Sequence, residues 1–188
     1  MSKTKPIIGI STGDPNGIGV EVILKCFSDK RIFDFMTAIV FSNYELVKAQ
    51  TVHFNLKVDL NKLSDFKNLK SSSLNVYEAS KGKFNLDFGK ANESGGQLSR
   101  ESLTTASSFL KKKKIDALVT APINKKNTLH ESFNFMGHTD FLNKTFDGEA
   151  MMFMVSQDLK IALLTEHISI DKITENISKD LIEKKIKT

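Results

Sequence analysis

The residues with the most chemistry to offer lie in one stretch, Leu118 to Asp140, reading LVTAPINKKNTLHESFNFMGHTD. Within it Asn124 supplies an amide, Lys125 an ammonium, His138 an imidazole and Thr139 a hydroxyl. Donors of these kinds suit a small, anionic, polyhydroxylated substrate better than an apolar one. The element that must position them is a short buried strand over Ala117–Thr120, broken by Ala121-Pro122. A helix restarts at Asn124-Lys125 and carries His130 on its surface, and Gly137-His138-Thr139-Asp140 closes the stretch. A buried strand that opens into a polar loop at its carboxyl end is where open α/β sheets hold their ligands. A strand, a Pro-bearing loop and a capped helix would account for the same residues with no ligand at all.

A second candidate stands near the start. Ile7–Ser11 is an apolar run of strand length, followed by Thr12-Gly13-Asp14-Pro15-Asn16-Gly17-Ile18-Gly19 and a helical pattern over Val20–Phe27. Strand, glycine-rich loop and helix together bring backbone N–H groups to face an anion. Glycines at 13, 17 and 19 match neither the dinucleotide fingerprint nor the P-loop, which needs Lys-Ser/Thr after its glycines. A tight turn with close helix packing explains the same glycines.

Composition narrows the class. A chain of 188 residues with 40% hydrophobic and 26% charged residues is an ordinary globular sequence, long enough to bury a core. No apolar run is long enough to span a bilayer, and Met1–Lys5 followed by Pro6 is no signal peptide. The single Cys26 excludes an intramolecular disulfide and fits a reducing cytoplasm. The net charge of +5 is spread along the chain without basic–aromatic interleaving, which argues against nucleic acid. The one tight run, Lys111–Lys114, ends an amphipathic helix, where cations suit the negative end of the macrodipole.

The remaining pattern alternates strands and helices. Met36–Phe41 and Leu74–Glu78 read as strands, Tyr44–Gln50 as a helix capped by Ser42-Asn43, and Val52–Val58 as a loosely alternating segment holding a structural His53. Leu60–Ser73 reads as a polar surface excursion. Leu98, Leu103, Ala106, Phe109 and Leu110 form a helical stripe behind Ser94-Gly95-Gly96-Gln97, which either caps the helix or faces a ligand. Ala150–Ser156 and Ile161–Thr165 read as strands of a hairpin running into Glu166-His167, and Ile173–Ile186 as one amphipathic helix that stops at Thr188. The expectation is an α/β fold with a mostly parallel sheet, flanking helices and an antiparallel piece near the C-terminal end, with no clear internal domain boundary.

Five blocks in order, GISTGDPNGIGVE (Gly9–Glu21), SGGQ (Ser94–Gln97), LVTAPINK (Leu118–Lys125), GHTDFL (Gly137–Leu142) and MMFMVSQDLKIALLTEHISI (Met151–Ile170), resemble the 4-hydroxythreonine-4-phosphate dehydrogenase family of pyridoxal phosphate biosynthesis. The family's chains are considerably longer, so residues 1–188 resemble the N-terminal portion of a two-lobed enzyme. The resemblance implies an isocitrate/isopropylmalate dehydrogenase-like fold and a cytoplasmic homodimer with a shared active site. It also implies NAD- or NADP-dependent oxidation of 4-phosphohydroxy-L-threonine at its 3-hydroxyl, followed by decarboxylation to 3-amino-2-oxopropyl phosphate. By position in the motifs, His138 and Thr139 would hold substrate, and His167 would be the first of three histidines on a divalent metal, zinc by preference with magnesium or cobalt as alternatives. One imidazole makes no catalytic zinc site, and no pairing of His53, His130 or His138 with His167 has a ligand spacing. The chain by itself is therefore expected to be inactive. Two other readings stay open: a related dehydrogenase of another phosphorylated or sugar-acid hydroxy substrate, and a non-catalytic ligand-binding or dimerisation module.

Overall fold

A computed structural model describes residues 5–82, 84–131, 133–135, 137–148 and 150–187. Met1–Thr4, Lys83, Ser132, Met136, Glu149 and Thr188 lie outside the described residues, and with them the expected leaderless start and the stop at Thr188. The chain forms two compact units, Met1–His138 and Thr139–Thr188.

The first unit runs β1 (Ile7–Ser11), α1 (Gly19–Phe27), β2 (Thr37–Ser42), α2 (Tyr44–His53), β3 (Leu60–Leu63), β4 (Leu74–Glu78), α3 (Glu93–Lys111), β5 (Ala117–Thr120) and α4 (Lys125–Thr128). Its five strands pair in parallel in the order β3-β4-β2-β1-β5. Helices cover both faces, as a parallel sheet requires. Ile10, Ala38, Val40, Leu74 and Val76 pack against α1 and α2 through Val20, Leu24, Phe27, Leu46 and Val47. Ile39, Phe41 and Leu63 pack on the other face with Ala106 of α3 and with Ile115. Phe41, Tyr77 and Phe109 interlock there, with Phe109 edge-on to Phe41 at 5.0 Å and to Tyr77 at 4.7 Å.

The second unit holds most of α5 (His138–Thr145), then β6 (Phe153–Val155) and β7 (Lys160–Ala162) in an antiparallel hairpin, a 3₁₀ turn at Ile170–Lys172, α6 (Ile173–Asn176) and α7 (Lys179–Lys187). The mostly parallel sheet with flanking helices and the late antiparallel piece are as expected.

Several local expectations are corrected. β5 is not buried: as the sheet's edge strand it leaves Val119 52% exposed. The loosely alternating Val52–Val58 segment begins inside α2, which continues past Gln50 to His53, whose ring stacks on Phe88 at 4.7 Å and meets Phe54 edge-on at 4.9 Å. A strand lies at Leu60–Leu63, inside the polar stretch read as an excursion, where Asn61 Nδ2 donates to Asn75 Oδ1 at 2.8 Å. His130 is not helical. α4 ends at Thr128 because the Arg100 guanidinium takes the carbonyls of Asn127 and Thr128, and His130 pairs with Phe133 in an isolated bridge. The C-terminal helix is two: Ile177 turns extended and the Ser178 hydroxyl recaps the chain by accepting the N–H of Leu181 at 3.1 Å.

Candidate ligand crevice at the ends of β1 and β5

The first strand lies between β2, reached through α1, and β5, reached through α3, so the winding direction reverses between β1 and β5. Ser11 and Thr120 stand side by side at the carboxyl ends of these two strands. A crevice of about 300 Å³ opens just beyond them, walled by Asp14, Asn16, Ile18, Lys90, Ile123 and Asn124. Its size is at the small end of ligand sites, roughly 300–1,000 Å³. A larger groove of about 680 Å³ follows α3, but Arg100 there is paired with Glu93 at 2.7 Å and Gln97 with Glu101 at 2.8 Å. The small crevice sits where the fold leaves a ligand space, and it holds the sequence's glycine-rich loop.

That loop is held from four sides. Asp14 N–H donates to Pro122 O at 2.9 Å, tying it to the turn after β5. Thr12 N–H donates to Ser102 Oγ at 3.0 Å, and Gln50 Nε2 donates to Pro15 O at 2.8 Å, so α3 and α2 each hold it as well. Asn16 holds the segment before α3, its Oδ1 accepting Asp87 N–H at 2.8 Å and its O accepting Gly89 N–H at 2.9 Å. Gly13 takes φ +64°, and a Cβ there would lie 2.1 Å from Pro122 O. Only glycine meets both demands. The loop is therefore preformed.

The Ser94–Gln97 entrance resolves in favour of packing. Asn92 caps α3, accepting Gly95 N–H at 2.8 Å, and a Cβ on Gly96 would fall 1.9 Å from Asn127 O. Packing there does reach the crevice: a Cβ on Gly95 would lie 3.1 Å from Asp14 Oδ1 and 3.3 Å from Asn16 Nδ2. The Arg100–Glu93 pair holds the Glu93 carboxyl below its usual range, first through their hydrogen bond and then through charge.

Asn124 caps α4, accepting Asn127 N–H at 3.2 Å, and so fixes where Lys125 begins. The Lys125 Cε lies 3.9 Å from where a Cβ on Gly137 would stand, which places the ammonium-bearing chain beside the start of the Gly137-His138 segment. His138 opens α5, with Nε2 buried and without a hydrogen-bond partner, and burial pushes its pKa down. An imidazole kept neutral with a free ring nitrogen can hydrogen-bond a substrate oxygen without adding charge. Thr139 is exposed and belongs to the second unit.

His167 stands apart from these. It is exposed, five residues past the end of β7, and its backbone is left-handed at φ 55°. Among the described residues no three His, Cys, Asp or Glu side chains come together to hold a metal ion. One imidazole does not satisfy zinc, so the described residues by themselves do not fit the implied metal.

The sequence reading singled out this loop for its glycines and passed over Asp14 and Asn16 between them. Both are buried, with 8% and 3% of their surface exposed, and Asn16 Nδ2 has no hydrogen-bond partner. The available signal was two polar residues inside a glycine-rich turn, a pattern equally common in turns that bind nothing.

A mostly parallel, doubly wound α/β sheet with flanking helices, a preformed glycine loop and a crevice at its switch point defines an α/β fold of the dehydrogenase-like type. The chain belongs to the family described as Pyridoxal phosphate biosynthetic protein PdxA, whose model matches residues 34–188. It is 29% identical over 188 residues to a 4-hydroxythreonine-4-phosphate dehydrogenase of Bacteroides thetaiotaomicron, covering 99% of this chain and 52% of that protein. It is 26% identical over 174 residues to a putative D-threonate 4-phosphate dehydrogenase of Clostridium botulinum, covering 90% of this chain and 52% of that one. The fold matches the crystal structure of a 4-hydroxythreonine-4-phosphate dehydrogenase from Burkholderia phymatum with TM-score 0.88 at 22% identity, over 98% of this chain and 57% of that chain. The chain thus spans about half the length of the curated relatives it matches. No helix among the described residues is long and apolar enough to cross a membrane.

Proposed function

We propose that this chain is the N-terminal portion of a nicotinamide-dependent dehydrogenase that oxidises 4-phosphohydroxy-L-threonine at its 3-hydroxyl. In that reaction the carbinol carbon gives a hydride to NAD or NADP and the hydroxyl gives up its proton. The resulting β-keto acid then loses carbon dioxide, leaving 3-amino-2-oxopropyl phosphate. The observation that carries the reading is the preformed loop over the switch-point crevice in a chain of this family. Supporting it are His138 and Lys125, which bring an uncharged imidazole and an ammonium to the start of α5. With Thr139 they would hold the substrate's oxygens and phosphate.

His167 would contribute one ligand to a divalent metal, zinc by preference, with the remaining ligands supplied from sequence outside these residues. A homodimer sharing its active sites and a cytoplasmic location complete the proposal. The lone cysteine, exposed and unpaired, fits that compartment.

A second reading has its own support. The similarity to a putative D-threonate 4-phosphate dehydrogenase extends over 90% of this chain, and both named substrates are phosphorylated four-carbon hydroxy acids. Anion-holding groups alone do not separate them. The test is NADH formation by the complete protein on 4-phosphohydroxy-L-threonine and on D-threonate 4-phosphate, beside residues 1–188 alone. The expected result is turnover of the first substrate at least tenfold above the second, and none by the shorter chain. Preference for D-threonate 4-phosphate would move the assignment to the second reading. Robust turnover by the short chain would overturn the claim that it is incomplete.

A further inference from the structure

The β6–β7 hairpin is apolar on both faces and open at both edges, and from this we infer that it is the docking surface for the rest of the complete protein, the sequence that follows residue 188. This rests on the reading of the chain as an N-terminal portion. It adds where the remainder lands and what it must bring, which is strands for the hairpin's edges and apolar cover for both faces.

The first ground is the make-up of the two strands. β6 is Phe-Met-Val and β7 is Lys-Ile-Ala, with Phe153 opposite Ala162, Met154 opposite Ile161 and Val155 opposite Lys160. Directly opposed residues share a face, and neighbours along a strand alternate. Phe153, Val155 and Ala162 therefore stand on one face, with Lys160 at its end, and Met154 and Ile161 stand on the other. Phe153 and Val155 are 56% and 66% exposed, and Met154 and Ile161 are 55% and 42% exposed. A hairpin with one face on a core and one in water alternates apolar with polar residues. Strands that are apolar on both faces belong inside a sheet covered from both sides.

The second ground is the want of a core around them. Among the described residues of Thr139–Thr188 only Phe141 is buried. Ile170 and Ile186 are 85% and 78% exposed, so the unit's other elements leave apolar surface of their own uncovered. A two-stranded hairpin with nothing packed on it is marginal in water. The two strands also form a sheet by themselves, so each keeps one open edge that another strand can join.

Geometry and length choose the occupant. A second copy related by a two-fold axis lays one patch on the same patch of its partner, which covers one face and leaves the other in water. Covering two faces and two edges takes several elements wound around the hairpin. The relatives carry that much chain: the match covers 52% of the Bacteroides thetaiotaomicron protein, so nearly half of that protein lies outside it. The hairpin belongs to the unit that reaches Thr188, so sequence continuing from there starts in the unit it has to complete.

The test is hydrogen–deuterium exchange of the backbone over residues 150–165, in residues 1–188 and in the complete protein, with β2 and β4 as reference. The hairpin should exchange at least about a hundredfold more slowly in the complete protein, while β2 and β4 stay protected in both. Met154→Asn and Val155→Asn, one on each face, should leave the melting temperature of residues 1–188 within about 2 °C. Each should lower that of the complete protein by at least about 5 °C. In assemblies formed from mixed ¹⁴N and ¹⁵N chains, cross-links from Lys160 to lysines beyond residue 188 should join chains of one isotope. Mixed-isotope links would give the surface to a partner copy and overturn the inference. So would equally fast exchange in both proteins, or a loss from only one of the two variants. Slow exchange already in residues 1–188 would overturn it as well, assigning the surface to a second copy where dilution speeds the exchange and to the unit itself where it does not. NADH formation by the complete protein is read separately. With turnover present and the hairpin open, the dehydrogenase reading stands and the docking surface falls; with the hairpin covered and no turnover, the reverse holds.

Discussion

The N–H of Asp14 donates to the carbonyl of Pro122 across 2.9 Å, joining the loop that follows the first strand to the turn that follows the last one of the sheet. The two segments are 108 residues apart in sequence (122 − 14) and meet because β1 and β5 are paired, Ser11 opposite Thr120. That bond closes the inner end of the crevice. Gly13 makes it possible, since only a residue free to take φ +64° and lacking a Cβ lets Pro122 approach so closely.

Gly13→Ala is therefore the substitution that most directly parts the two loops. The methyl would stand 2.1 Å from Pro122 O and 2.8 Å from Ala121 O, in a left-handed backbone that alanine adopts at a cost. Strain and displacement together should remove about 2–4 kcal/mol, read as the fall in urea-unfolding free energy. A loss under about 0.5 kcal/mol would mean that the loop relaxes freely and is not preformed.

Arg100 and Glu93 form one ion pair with unequal partners. The Arg100 side chain is 11% exposed and also donates to the carbonyls that end α4, while Glu93 is 71% exposed. Arg100→Met should cost about 1–3 kcal/mol, because the carbonyls of Asn127 and Thr128 lose their donor. Glu93→Gln should cost clearly less than Arg100→Met, as the exposed half of a pair. Equal losses in urea unfolding would show that the ion pair, and not the helix end, is what Arg100 stabilises.

The buried imidazole of His138 predicts a pH dependence. Burial lowers its folded-state pKa below the ordinary histidine value of 6.5, so the unfolded chain takes up a proton more readily than the folded one. Stability from this group is present in full above 6.5 and is lost as pH falls through the folded-state value, after which the loss levels off. Urea midpoints measured from about pH 7.5 down to about 5 should fall for the wild type. In His138→Gln this part of the slope should vanish. An identical slope in the variant would show that His138 titrates as it does in the unfolded chain.

Much of this architecture is legible in the sequence. β1, β2 and β5 fall where apolar runs meet serine or proline, and the Asn43 and Asn124 caps stand where asparagine precedes a helical pattern. What misleads is non-local. Nothing in LNKL marks Leu60–Leu63 as a strand, because its evidence is a partner, Leu74–Tyr77, rather than its own alternation. His130 follows a helical pattern that stops where Arg100, 27 residues from Asn127, takes that residue's carbonyl. Asn16 is the same kind of case at the crevice: its free amide is visible only once Asp87 and Gly89 have taken its oxygens.

His167 gives a last, sharper test because its backbone is unusual. A left-handed φ of 55° costs a β-carbon residue about 1–2 kcal/mol, although histidine visits the region more often than most. Glycine would relieve that strain but add about 0.5–1 kcal/mol of unfolded-state entropy. His167→Gly should therefore leave this chain unchanged or up to about 1 kcal/mol more stable in urea. On the proposed role, the imidazole is kept for a metal whose other ligands lie outside these residues, and folding does not depend on it. Zinc should then leave the melting temperature of residues 1–188 within about 1 °C, while in the complete protein the same substitution should lower bound zinc. If His167→Gly instead destabilises the chain by more than about 1 kcal/mol, the side chain has a structural task, and the ligand assignment loses its support.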